Sequence, residues 1–320
     1  MSIKSYRFDG GKNLRLQEQP TGAGEQKQQK AELKAKTAEN LRKAALLAAH
    51  NFQKWPVNPR VYVVFLLELA YVHWMVSPVG DFCAQGGYTV GPWVFPFLLA
   101  EPYSRLMVML GLILLLCDAP FIESDHPALL LRSGRRTWTA GQVLYIAGTS
   151  AVYFAVVYLL TVLVLLPHVG FEPGWGKVIH TFCQTRMAGQ HGIVLPFDHQ
   201  ISNALGPVEV NLLELLLCWL LGALLGLVLF VLNLTVNRSA GAICAAALAI
   251  FPLFVERAGW WMHYISPVSW ASLSVVDLTG TTAFPSLGYA LAVLAGGNAL
   301  LALLAFLAMG RRDIDVLKSV

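Results

Sequence analysis

Charged side chains are scarce in this sequence. Asp, Glu, Lys and Arg together make up 13% of its 320 residues, about half of the roughly 25% found in an average soluble domain. Hydrophobic residues make up 56%. Because so few charges are available to cover a surface in water, we expect most of the chain to lie in lipid.

Six apolar stretches are candidates for membrane-spanning helices, which need about 20 residues each. They are residues 61–76, 104–121, 143–166, 208–233, 241–255 and 287–309. Two of them are short for a span and require tilt or extension into flanking residues. The sequence therefore predicts an all-α polytopic membrane protein with a six-span transmembrane domain at residues 57–310 and a cytoplasmic tail at 311–320.

Catalytic motifs are also absent. The chain contains no GxSxG, HExxH or GxxxxGK[ST] sequence, the patterns that position a nucleophilic serine, a catalytic zinc ion or a nucleotide phosphate. Haem or quinone binding would require facing histidines inside spans, and only His73 lies well within one. We therefore expect no catalytic residue, no cofactor in this chain and no enzyme activity of its own.

Cysteine is sparse, with five residues in the chain. Cys83 and Cys183 fall in two segments predicted to lie outside the cell, where oxidising conditions could join them as a disulfide. Two free thiols are the alternative, because a bridge needs a short Cα separation that sequence does not supply.

Histidines are concentrated in one predicted exterior segment, residues 167–207. These are His168, His180, His191 and His199. Their spacing provides neither the i, i+4 pair nor the close couplet of a zinc site. We therefore expect no metal site.

The distribution of Lys and Arg predicts the orientation. Of the 23 such residues, nineteen lie in the first sixty residues, in segment 118–142, at Arg238 or in the carboxy-terminal tail. Because basic residues accumulate on the cytoplasmic side, we expect both termini and segment 118–142 in the cytoplasm of a multi-pass plasma-membrane protein. The net charge of +4 reflects this bias, so we do not expect nucleic-acid binding.

The amino-terminal region divides into two parts. Residues 1–29 are polar without apolar periodicity, which indicates a flexible cytoplasmic tail. Residues 30–56 predict an interfacial amphipathic helix on the inner membrane face. Its apolar residues recur three, four or eight positions apart, at Leu33, Leu41, Ala44, Ala48, Phe52 and Trp55. Docking on a cytoplasmic partner is an alternative use of the same face.

Glu68 lies inside the first predicted span. An ionisable residue in a bilayer is a candidate functional residue, because leaving it unpaired there costs several kcal/mol. A protonated or hydrogen-bonded Glu68 that stabilises helix packing is the interpretation we favour over a substrate or proton role.

Segment 118–142 is too long and too charged for a simple turn between two spans. It contains Asp118, Glu123 and Asp125, then an apolar run at 128–131, then Arg132, Arg135 and Arg136. This composition predicts a short helix lying across the cytoplasmic membrane face.

The predicted exterior loops are residues 77–103, 167–207 and 256–285. The first contains an apolar run at 93–99, which we expect either to dip into the outer leaflet or to pack over helix ends. The third carries Trp260, Trp261 and Trp270, which predict an aromatic belt at the outer interface.

The order of these parts resembles the membrane subunit of a type-2 ATP-binding-cassette (ABC) exporter. The resemblance covers the chain from about residue 30 onward, with local matches at SPVSWASL (266–273) and RRDI (311–314). It implies that segment 118–142 is a cytoplasmic coupling helix that fits a groove in a separate ABC ATPase, and that two membrane subunits, identical or different, pair in the lipid. ATP and Mg²⁺ would then bind the partner ATPase.

Residue by residue, the resemblance assigns ATPase coupling to Phe121, Ile122, Glu123, Asp125, Arg132, Arg135 and Arg136. The alternative role for the arginines is to anchor the loop to anionic lipid. An apolar bundle with an outer aromatic belt favours an amphipathic cargo such as a lipid, a hydrophobic drug or a peptide.

Two other functions fit the same spans. A membrane immunity, sensor or scaffold protein could bind a peptide or lipid at the exterior loops without transporting anything. A secondary transporter is less favoured, because the spans contain few charges and no evident inverted repeat.

Overall fold

The computed structural model describes residues 22–119, 130, 133–237 and 239–311. Its α-helices are α1 (Gly22–Gln53), α2 (Pro59–Gly86), α3 (Phe95–Ala100), α4 (Pro102–Leu116), α5 (Arg135–Leu165), α6 (Gly176–Gln184), α7 (Met187–Gln190), α8 (His199–Ala204), α9 (Pro207–Thr235), α10 (Ala240–Ala258) and α11 (Leu287–Arg311). Short 3₁₀ helices lie at Trp260–Tyr264, Pro267–Ala271 and Leu273–Val275. Among these described residues, extended pairing is limited to two isolated bridges.

Five of these helices, α2, α5, α9, α10 and α11, are long and apolar enough to cross a membrane. The chain is thus an all-α membrane protein, as its composition predicts. The predicted second span, 104–121, corresponds to α4, which has 15 residues and a length of about 22 Å at 1.5 Å per residue. That length is shorter than the roughly 30 Å hydrocarbon core.

Three helices, α2, α4 and α9, begin with proline, and a side chain bonds to a backbone N–H at the start of each. The Asn58 side chain accepts a hydrogen bond from the backbone N–H of Arg60 at the start of α2. The Glu101 side chain accepts one from the backbone N–H of Ser104 at the start of α4. At α9, Glu209 accepts from Gly206 N instead. Proline suits the first helical position because its missing N–H would have no partner there, so these helices have defined starting points.

Helix α9 is at the centre of the bundle. In its most apolar window 67% of the residues are buried within the protein, against 17% in α11. It packs against α4, α5, α10 and α11. Polar groups on α9 are consequently surrounded by protein rather than by lipid.

Two glycines on α9 permit this close packing. A Cβ at Gly222 would lie 2.1 Å from Ser150 Oγ, and a Cβ at Gly226 would lie 2.4 Å from Ile146 Cγ2. Both neighbours belong to α5. The GxxxG pair therefore marks a specific contact, although the pattern alone is common in membrane helices.

The second half of α1 packs on the first half of α5. Ala44 and Ala48 are buried, and Asn51 Nδ2 donates to Gln142 Oε1 at 3.1 Å. Just past α1, Trp55 Nε1 donates to Tyr145 Oη at 3.0 Å. Because these contacts advance in the same direction along both helices, this part of α1 runs alongside α5.

The structure modifies the predicted amino-terminal division. Helix α1 begins at Gly22 rather than at residue 30, and residues 1–21 lie outside the described residues. Two residues of the predicted apolar face, Leu33 and Leu41, are exposed in the protein. The buried residues of that face, Ala44 and Ala48, lie in its later part.

The predicted exterior loops are more ordered and more buried than their sequences suggest. Helix α2 continues to Gly86, so the first part of the predicted loop 77–103 is helical. In α3, Phe95, Phe97, Leu98 and Leu99 are fully buried, which satisfies the second of the two expectations, packing against helices. Residues 166–206 form α6, α7 and α8 between α5 and α9.

One of the three tryptophans predicted to form an aromatic belt is buried. Trp260 and Trp261 are 57% and 56% exposed, but Trp270 is 1% exposed, so the prediction is wrong for Trp270. Its Nε1 donates to the His263 carbonyl at 2.7 Å. Trp270 is a core residue because segment 259–286 folds back into the bundle, which a local aromatic pattern does not reveal.

Gly222→Ala is expected to lower the free energy of unfolding by about 1–3 kcal/mol, the usual cost of overpacking a filled core. Ser150 Oγ would meet the new methyl group, and Ser150 cannot move without losing its 3.0 Å hydrogen bond to the Trp219 carbonyl. Gly288→Ala is the matched control, since nothing lies within 4 Å of its methyl group. Thermal unfolding of the full chain in one detergent measures the effect. Equal midpoints for the two variants would contradict it.

Candidate functional site

The predicted coupling residues fall into two groups. Phe121, Ile122, Glu123, Asp125 and Arg132 lie outside the described residues. Arg135 and Arg136 open α5, and Arg136 is exposed. The Arg135 Nη1 atom donates to the Gly310 carbonyl at 3.4 Å. One end of the predicted loop is therefore attached to the end of α11.

The other end of that loop is attached to α2 and α9. Arg60 forms an ion pair with Asp118 and donates to Cys117 Sγ at 3.2 Å. Asn233 Nδ2, on α9, donates to the Ala119 carbonyl at 2.7 Å. We refer to Arg60, Asp118, Asn233 and Arg135 as the loop anchors.

Asn233 also links the loop to α10. Its Oδ1 accepts from Gly241 N at 2.9 Å, and a Cβ at Gly241 would lie 2.6 Å from the Leu229 carbonyl. Only glycine permits this approach of the two backbones. Through the loop anchors, the segment between residues 118 and 136 is connected to α2, α9, α10 and α11 at one end of the bundle.

Glu68 lies in a buried hydrogen-bonded contact between three helices. The Tyr153 hydroxyl on α5 lies 2.7 Å from Glu68 Oε1 and 2.7 Å from the Val108 carbonyl on α4. A hydroxyl has one hydrogen to donate. Both contacts are satisfied when Glu68 is the neutral acid and donates to Tyr153 Oη, while Tyr153 donates to Val108.

Gly111 makes this contact possible. A Cβ there would lie 2.1 Å from Glu68 Oε1 and 2.4 Å from Tyr153 Oη. His73, the other ionisable side chain of the first span, is exposed and takes no part in the contact. This geometry favours the packing role of Glu68 over a substrate role.

A second buried polar cluster has no counterpart in the sequence predictions. Arg105 is 1% exposed. Its Nη2 pairs with Glu256 at 2.6 Å, and its Nη1 donates to the Ser269 carbonyl at 3.2 Å. Glu214 on α9 is 0% exposed, and its Oε2 accepts from Leu273 N at 3.1 Å. These contacts join α4, α9 and α10 to segment 259–286.

The sequence contained a signal for this cluster. Glu214 is an acidic residue within the predicted span 208–233, and the rule applied to Glu68 applies to it equally. Arg105 is the second residue of the predicted span 104–121, and Glu256 is the first residue of the predicted exterior loop 256–285. Their pairing across 151 positions depends on the tertiary fold.

His263 belongs to the same region. Its side chain is 6% exposed, and its Nδ1 has no hydrogen-bond partner among the described residues. Burial lowers the pKa of His263, and the nearby Arg105 charge lowers it further. His263 is therefore neutral at pH 7.

The cysteines and histidines of the predicted exterior segments, all of them among the described residues, form no bridge or metal cluster. Cys83 and Cys183 are both free thiols, although the rings of their neighbours Phe82 and Phe182 pack at 4.9 Å. The disulfide that they could have formed is thus absent from this structure. Burial raises the pKa of Cys183 to about 11, so it remains a thiol at neutral pH. No group of three metal-ligating side chains occurs in the described parts of the chain.

Comparisons with known proteins provide no family for this chain. No family model matches it, and neither a curated protein nor a solved structure matches it. The function of this chain must therefore be inferred from its own residues.

Tyr153→Phe is expected to lower the free energy of unfolding by about 1–3 kcal/mol, because it leaves a buried carboxyl without a partner. Glu68→Gln should cost less, since the amide can still donate to Tyr153 Oη. Thermal unfolding of the full chain, with both variants in the same detergent, checks the order. A Tyr153→Phe midpoint at or above that of Glu68→Gln would contradict the packing role.

Proposed function

We propose that this chain is the membrane subunit of an ABC exporter that moves an amphipathic cargo outward. A separate ATPase subunit, with its own ATP and Mg²⁺, would drive it, and a second membrane subunit would complete the transporter. The loop anchors are the observation that supports the proposal. A segment that receives mechanical work must be firmly attached to the helices that move, and these anchors attach it to α2, α9, α10 and α11.

The proposed orientation puts the loop anchors in the cytoplasm. The second half of α1, the start of α5 and the end of α11 lie at the same end of the bundle. The sequence segments that contain most of the Lys and Arg residues include or adjoin these parts. That distribution is typical of a cytoplasmic face. The plasma membrane is the proposed location, with α6, α7, α8 and segment 259–286 on the outside.

In this proposal α4 is the sixth span. Its 15 residues are short, but the buried helix α3 directly precedes it. Lipid does not have to cover the ends of a short helix that is enclosed by protein. The spans would therefore be α2, α4, α5, α9, α10 and α11.

The mechanism follows from the anchors. Closure of two ATPase subunits on ATP would displace the loop between residues 118 and 136. Arg60 would transmit the displacement to α2, Asn233 to α9 and α10, and Arg135 to α11. Because packed helices shift as rigid bodies, the bundle would change between inward-open and outward-open arrangements.

The partner is testable directly. The tagged full chain, purified from its native membrane, should co-purify with a protein that contains a Walker motif. Arg136→Glu should reduce the recovered ATPase by about tenfold or more, because Arg136 is exposed at the proposed contact. Arg257→Glu, an exposed arginine at the opposite end, is the control. Recovery of peptide or lipid but no ATPase would favour a sensor or scaffold instead.

The transmission step has its own test. Asn233→Ala should leave the ATPase bound but lower ATP hydrolysis by the complex several-fold, since the loop loses its attachment to α9. Asn298→Ala is the matched control. Asn298 also bonds across helices, to the Leu220 carbonyl of α9, in addition to a bond within its own helix to Leu294, but it does not touch the loop. Equal hydrolysis rates for the two variants would rule out a special role for Asn233.

A further inference from the structure

Glu214 is the most deeply buried carboxyl group among the described residues. Its residue is 0% exposed. Oε2 accepts one hydrogen bond, from Leu273 N, and Oε1 has no partner among the described residues. Leu273 belongs to segment 259–286, so the single bond of this carboxyl group connects α9 to that segment.

The cation that acts on Glu214 is bonded to other partners. Arg105, on α4, influences Glu214 electrostatically, but its two Nη atoms are bonded to Glu256 of α10 and to the Ser269 carbonyl, and its Nε has no partner among the described residues. Among the described residues, Glu214 itself forms no ion pair. An ionised carboxylate with one hydrogen bond and no directly paired cation is strongly disfavoured in a buried site, so we infer that Glu214 is a neutral acid in this structure.

The cost of ionising Glu214 disappears if segment 259–286 moves away. Water can then reach the carboxyl group, and an exposed Glu ionises above a pH of about 4.3. We propose that Glu214 is a buried proton-binding site that fastens segment 259–286 to the bundle while the proton is bound. This inference does not depend on an ATPase partner.

The sign of the pH dependence follows by linkage. The docked arrangement holds one proton that the undocked arrangement releases, so rising pH favours undocking. The effect is absent below a pH of about 4.3, where both arrangements hold the proton. Above it, the undocking equilibrium constant should rise about tenfold per pH unit, because one proton is released.

Other titratable groups face the same region. They are Arg105 and Glu101 of α4, Cys218 of α9, Glu256 of α10 and His263 of the segment itself. Residues 137–165 of α5 and 287–310 of α11 contain no charged side chain. His263 is the competing candidate, but burial lowers its pKa. A histidine that is buried in the neutral form would favour undocking as pH falls, the opposite sign.

Cys218 is a natural reporter of undocking. It lies one helical turn after Glu214, it is 0% exposed, and its Sγ lies 3.5 Å from the Ala271 carbonyl. Segment 259–286 must move before a water-soluble maleimide can reach this thiol. The full chain in lipid nanodiscs is used, with the other four cysteines replaced by serine.

The test compares this protein with the same protein carrying Glu214→Gln. Glutamine keeps the acceptor for Leu273 N but releases no proton. The ratio of the two labelling rates at each pH removes the part of the intrinsic thiolate dependence that the two proteins share. We expect this ratio to rise about tenfold per unit between pH 5 and 7. A constant ratio would overturn the proposal, and a ratio that rises as pH falls would assign the effect to His263.

Two further measurements distinguish the proposed effect from a folding defect of the Glu214→Gln variant. The first uses the protein that retains only Cys218. Its labelling rate in the folded state, divided by its rate after unfolding in detergent, gives the undocked fraction without any Glu214 variant, and this fraction should rise with pH by the same factor. Glu68→Gln is the matched control, because Glu68 is also a buried acid but does not contact segment 259–286. If Glu68→Gln abolishes the pH dependence of labelling, the assignment to Glu214 is refuted.

Discussion

Polar side chains inside a bundle surrounded by lipid need hydrogen-bond partners, and the structure depends on this constraint. Lipid offers no hydrogen bonds, so each such group needs a partner on another helix or another segment. Asn233, Glu68 and Glu214 each reach across in this way. Their hydrogen bonds therefore determine which helices are attached to one another and at which end of the bundle.

Helix α9 carries two of these attachments. Asn233, at one end, connects it to Ala119 of the loop and to α10. Glu214 lies 19 positions earlier, about 28 Å away along the helix axis, and connects it to segment 259–286. Because α9 is one continuous helix at the centre of the bundle, a shift that began at the loop, as we propose, would reach the opposite end without an intermediate element.

The sequence patterns correctly predicted features that depend on local composition. They did not predict features that depend on contacts between residues far apart in the chain. Long apolar stretches predicted five of the spanning helices, because length and hydropathy are local properties. Trp270 was assigned to the surface, since a local pattern cannot distinguish a belt from a core. Asn233 was missed because its partner Ala119 is 114 positions away, and an uncharged amide gives no signal in a hydropathy window.

Two buried glutamates illustrate how the partner decides the role of a side chain. Glu68 bonds to Tyr153, whose hydroxyl is itself held by α4, and all three groups lie on rigid helices. Glu214 bonds to a backbone N–H within short 3₁₀ helices, which few regular hydrogen bonds restrain. The same residue type at similar burial therefore strengthens fixed packing at one site. At the other it makes the attachment of an entire segment depend on one proton.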